Sequence, residues 1–148
     1  MPKEQDYIKY IEYFNVLLKY NNIFSSQLLK WVNFFGKADI KTLATQNPNG
    51  LKEFIGWTKN SEKYFNSTVA KMNLLKISGL LQDKEDKNTL DVIIKNLSDI
   101  SKKLNSMGKN LTNIDYSYFV NAIRAINYSI NILDMRLSKF LRFQSSGT

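Results

Sequence analysis

Two stretches of this chain space their apolar residues with almost no deviation, and that spacing limits the fold more than any other feature. Leu90, Ile93, Leu97, Ile100, Leu104 and Met107 follow one another by alternate steps of three and four. Tyr116, Phe119, Ile123, Ile126, Ile130, Leu133, Leu137 and Phe140 do the same over a longer run. A helix returns to one face at those intervals, whereas a strand returns every second residue. Heptad spacing gives a narrow apolar seam that presses on another helix. The joining segment, about 108–114, is short enough to make the two helices an antiparallel hairpin. Gly108 is read as closing the first helix, and Asp115 as the N-cap of the second. The core expected from these seams contains Leu97, Ile100, Leu104, Ile123, Ile126, Ile130 and Leu133. Spacing alone leaves open whether the seams close within the chain or partly on a second copy or partner subunit.

The remainder also reads as helix. Tyr7, Ile11, Phe14 and Leu18 share a face, so a helix is expected to about Tyr20. Ser25 or Ser26 then caps a second helix through Leu28, Val32 and Phe35, with Gly36 just past its end. "NPNG", 47–50, has the chemistry of a turn. From Leu51 to Leu81 the pattern is helical but less regular, carried by Ile55, Phe65, Val69, Met72, Ile77 and Leu81, with a break expected near "KNS", 59–61. "QDKEDKN", 82–88, reads as a charged turn. With only two prolines in 148 residues, the expectation is an all-α, single-domain bundle of about five helices over 1–148. A short flexible tail is expected at 144–148. A domain of this size buries roughly 70% of its unfolded surface.

Composition then narrows the chemistry. The chain has no cysteine and no histidine, which removes thiolate sites, the commonest general base and the commonest transition-metal ligand. "DKED", 83–86, is the one acidic cluster. It offers the first two ligand positions of a calcium loop and then Lys87, lacks the glycine of the sharp turn, and is read as a solvated turn. No glycine-rich phosphate loop, nucleophile elbow or paired-carboxylate motif is present. The expectation is a protein that is not an enzyme, with no cofactor and no metal. "MPKEQDYIKYIEY" is charged where a signal peptide is apolar, and no run approaches a membrane span. The expected setting is therefore cytoplasmic, with no membrane partner.

Charge points to a partner. The chain carries 21 basic against 13 acidic residues, a net +8, and such a surplus attracts nucleic acid or keeps a small domain soluble. Lys95, Lys102 and Lys109 recur every seven residues on one outer face, although Asp91 and Asp99 stand within helical reach of that stripe. All three arginines fall in "AIRAINYSINILDMRLSKFLR", 122–142. Opposite the apolar seam of that stretch lie Arg124, Tyr128, Asn131, Met135, Ser138 and Arg142, a row without an acid. Arginine there suits bidentate phosphate contacts, Tyr128 suits stacking on a base or ribose, and Asn131 suits a hydrogen bond to either. An ordinary solvated face is the other reading of the same row.

"STVAKMNLLKISGLL", followed by a charged turn, an amphipathic helix ending "NSMGKN" and then "YFVNAIRAINYSI", resembles the small subunit of type III CRISPR effector complexes. The resemblance covers about residues 65–132. Lys71 and Lys109 stand where that family is expected to have arginine, and Tyr118, Phe119 and Tyr128 match the aromatic character of its final helix. It implies a non-catalytic, all-α subunit of an antiviral ribonucleoprotein. Such a subunit stacks with copies of itself and touches the guide–target duplex through basic residues. Two other classes stay open: a nucleic-acid-wrapping coat protein of a virus or plasmid, and a small helical partner-binding or immunity protein.

Overall fold

The first helix, α1, runs without interruption from Glu4 to Phe35. The computed structural model describes residues 3–36 and 39–146. The start expected at Ser25 or Ser26 is therefore corrected. Asn21, Phe24 and Leu28 carry one buried face straight past the serines, and a serine's weak preference for helix ends yields to that burial. Gly36 does end α1: its φ is +58°, and its N–H donates to the Val32 carbonyl at 3.0 Å.

A seven-residue helix, α2 (Ile40–Gln46), follows, its first turn held by Asp39 accepting from the Lys41 N–H. Ile40 is buried, and its N–H donates to Asn113 Oδ1 at 3.4 Å. That bond ties α2 to the loop between the last two helices. Helix α3 (Pro48–Ile77) begins inside the expected "NPNG" turn. Asn47 caps it by accepting from the Gly50 N–H at 3.0 Å, and Pro48 occupies its first turn, where no N–H is needed. No break occurs at 59–61. Thr58 and Ser61 are buried there, and Thr58 Oγ1 satisfies itself on the Ile55 carbonyl.

Helix α4 (Lys84–Asn110) starts within the acidic run expected to be a turn. It also continues past Gly108, ending at Leu111 in the left-handed conformation. Helix α5 (Tyr116–Ser146) starts as expected, with the Tyr118 N–H donating to Asp115 Oδ1 at 3.2 Å. It runs through the first three residues of the expected tail, and 147–148 lie outside the described residues.

Partners across each interface show the topology, because one residue number rises as the other falls. Along α1 and α3, Tyr13 meets Lys71, Tyr20 meets Tyr64, Gln27 meets Trp57 and Trp31 meets Phe54. Along α3 and α4, Glu62 meets Asn105, Asn66 meets Ser101 and Lys76 meets Asp91. Asp86 and Arg136 join one end of α4 to the far end of α5, and Lys103 and Tyr118 join the opposite ends. Tyr7 meets Phe140 and Asn21 meets Asn127 between α1 and α5. The result is an antiparallel four-helix bundle in the ring order α1, α3, α4, α5, with α2 across one end. Among the described residues there is no strand.

Both heptad seams close within the chain. All seven expected core residues are buried. The α1–α3 side is built differently, from rings: Phe24 stacks on Trp57 with centroids 5.2 Å apart and meets Phe65 edge-on at 5.0 Å. Such pairs add about 0.5–1.5 kcal/mol each beyond the area they bury.

Candidate nucleic-acid interface

Burying the α5 seam leaves the opposite side of that helix facing outward. Arg124, Asn131 and Arg142 are exposed there, and Tyr128 is 71% exposed. Met135 is exposed as well. Lys139 is exposed on the same side. The seam-opposite periodicity passes over it, because it lies one position off the strict row. Phe143 extends the exposed face at the C-terminal end. The row carries no acid. Asp134, the one acidic residue of α5, is half-buried on the flank, and burial pushes its carboxyl above the ordinary carboxylate range.

The third arginine has another role. Arg136 Nε donates to Asp86 Oδ2 at 3.0 Å, and Nη2 donates to Asp83 Oδ2 at 2.6 Å. Its guanidinium lies 4.9 Å from the Phe140 ring centroid. The hydrogen bond and charge of Asp86 hold that guanidinium even more firmly protonated than usual. Asp86 is 5% exposed. The expected solvated acidic turn is therefore corrected: two of its three acids, Asp83 and Asp86, are bonded to Arg136 across the α4–α5 junction. The sequence had no means of separating Arg136 from Arg124, since its partners lie some fifty residues away.

The other expected contacts fall on two further faces. Lys95, Lys102 and Lys109 are exposed on the outer side of α4, next to α5 in the ring. Lys95 Nζ lies 3.7 Å from Asp99, the helical pairing read from the sequence. Between the two faces runs a groove of about 220 Å³ lined by Asn96, Asp99, Tyr118, Asn121 and Ala122. Burial and the nearby charges of Asp99 and Asp115 push the Tyr118 hydroxyl above its usual range. Lys71 stands apart. It is half-buried on α3, diagonally across the bundle from α5, with Nζ 4.8 Å from the Tyr13 ring centroid. The two lysines singled out by the family resemblance, Lys71 and Lys109, thus occupy different sides of the molecule.

Among the described residues no group of three acidic side chains is arranged to hold a metal, and no helix is long and apolar enough to cross a membrane. Comparison with protein-family models, with curated proteins and with solved structures finds no match for the chain.

Proposed function

We propose that this chain is a non-catalytic helical subunit that binds RNA or another nucleic acid along the outer face of α5. The observation that carries the reading is the exposed, acid-free row holding Arg124, Tyr128, Asn131, Lys139 and Arg142. From Arg124 to Arg142 the row spans about 27 Å at 1.5 Å per residue. An extended row fits a polyanion better than a small phosphorylated ligand, which needs a concave site. Exposed Tyr128 adds a stacking surface that a simple solubilising face does not need. The α4 lysines widen the basic area on the adjoining side. The resemblance to the type III small subunit points the same way: it makes the ligand a guide–target duplex, the assembly an antiviral ribonucleoprotein, and the setting the cytoplasm.

The test is the double variant Arg124→Gln, Arg142→Gln, titrated with a labelled RNA oligonucleotide by fluorescence anisotropy over a salt series. Affinity is expected to fall, and the log–log salt dependence to flatten by roughly 0.7–0.9 for each phosphate that the variant no longer neutralises. Stability is expected to change by no more than about 0.5 kcal/mol per site, as for ordinary surface changes. Parental affinity at matched salt would pass the reading to a protein partner.

A further inference from the structure

The groove between α4 and α5 differs in character from the surface around it. Its surroundings are cationic. In the antiparallel register set by Asp86–Arg136 and Lys103–Tyr118, Arg124 stands level with the stretch between Lys95 and Lys102, and all three side chains are exposed. The lining is instead rich in acceptors. Asp99 is the one charged residue among those that form it. Among the described residues no hydrogen bond reaches its carboxylate, since Lys95 Nζ at 3.7 Å stands beyond one. Asn96 spends its Nδ2 on the Val92 carbonyl at 2.8 Å and keeps Oδ1 as an acceptor. The Asn121 carboxamide is not spent on any described residue. Lys103 Nζ lies 5.0 Å from the Tyr118 ring centroid and braces that ring as a wall.

Acceptors set among cations select the chemistry of an occupant. A free phosphate suits the lysines and Arg124 but is repelled by Asp99. An amine or a metal ion suits Asp99 but meets three cations beside it. A nucleotide strand carries both complements at once, an anionic backbone and bases whose edges bear N–H donors. Guanine presents N1–H and its N2 amino group side by side, and a carboxylate can accept from both, as it does from the two N–H groups of an arginine fork. Adenine and cytosine place a ring acceptor beside their amino group, and uracil sets its single N–H between two carbonyls. Each of these turns an acceptor towards the carboxylate. The volume, about 220 Å³, lies below the ~300 Å³ at which sites begin to hold whole drug-sized ligands, so it admits a single ring system.

We infer that the α4–α5 groove takes one unpaired guanine of a single-stranded nucleic acid, with Asp99 accepting from its Watson–Crick edge while Lys95, Lys102 and Arg124 hold the flanking phosphates. The inference rests on the reading of α5 as a nucleic-acid surface. It departs from the guide–target duplex that the resemblance implies, because a guanine edge already paired to another base cannot reach a carboxylate.

Single-base substitution in the ligand tests it, by anisotropy at fixed salt. The probes are a labelled oligouridine and the same strand with one central uridine replaced by guanosine, inosine or adenosine. The guanosine strand is expected to bind about tenfold more tightly than oligouridine, the scale of one bidentate base contact. Inosine, which lacks the N2 amino group, should lose most of that gain, and adenosine all of it. Annealing each strand to its complement should remove the preference. Asp99→Asn replaces one acceptor by a donor, so the guanine preference should vanish. The same variant should bind oligouridine more tightly than the parent, because a negative charge beside the lysines is gone. A carboxylate acting through charge alone would instead raise the affinity of every strand equally and leave the preference intact. Unchanged circular dichroism of the variant would show that its fold is kept. A parent that binds all four strands alike, or an Asp99→Asn protein that still prefers guanosine, would overturn the inference. Either result leaves the α5 reading standing, since that is decided by the effect of the Arg124, Arg142 double variant on oligouridine itself. A parent that binds none of the strands would overturn both.

Discussion

Two glycines in the bundle predict opposite outcomes for the same substitution. A Cβ built on Gly108 would lie 2.8 Å from Thr58 Oγ1, on a buried, β-branched side chain already bonded to its own helix. A Cβ on Gly56 would meet nothing within 4 Å. Replacing a helical glycine by alanine is worth up to about 1 kcal/mol in intrinsic preference. Overpacking a tight contact costs about 1–3 kcal/mol. Gly56→Ala is therefore expected to raise the thermal midpoint, and Gly108→Ala to lower it because Thr58 has no room to retreat. Equal stabilisation by both would mean that α3 and α4 lie farther apart than described. The sequence shows both glycines and supplies a ready explanation for Gly108 as a helix end. The true reason is a contact fifty residues away, which no local pattern records.

Elements differ in how far the sequence exposes them, and the difference follows from what they pack against. Helices α4 and α5 meet through branched aliphatic side chains at close range, and that packing imposes a strict three–four rhythm. Helices α1 and α3 meet through large rings and admit buried Asn21, Thr58, Ser61 and Thr68 into their inner faces. Polar residues at inward positions then look like interruptions, so helix starts and kinks are expected where none exists. The basic face of α5 was legible because it is the complement of a clear seam. The separate employment of Arg136 was not. That division of labour predicts a double dissociation. Arg136→Gln strips Asp86, which is buried, of its guanidinium partner, and loss of a charge-assisted bond to a buried group is destabilising. Its thermal midpoint should drop while RNA affinity at matched salt stays parental. The Arg124, Arg142 double variant should do the reverse. An Arg136→Gln protein as stable as the parent would show that the α4–α5 junction does not depend on this ion pair.

For the molecule as a whole, the +8 surplus has to be carried on one bundle of 148 residues. Among the described residues, acids set against it in close pairs include Asp91 with Lys76, Asp99 with Lys95, and Asp83 and Asp86 with Arg136. The first two pairs are largely solvent-exposed, and exposed pairs contribute about 0–1 kcal/mol. Repulsion among the remaining lysines acts over the whole surface and opposes compactness. Salt screens both, with a Debye length of about 10 Å at 0.1 M. It removes more repulsion between scattered like charges than attraction within the half-buried Arg136 cluster. The thermal midpoint is therefore expected to rise as salt increases from a few millimolar to about 0.2 M. Over the same range, nucleic-acid affinity should fall steeply, because each phosphate contact releases condensed counterions. The two responses have opposite signs in one protein under one variable, and differential scanning fluorimetry beside the anisotropy titration reads both. A midpoint that falls with added salt would mean that the ion pairs outweigh the surplus, and the lysines would then read as partners of the acids rather than as charge held ready for a polyanion.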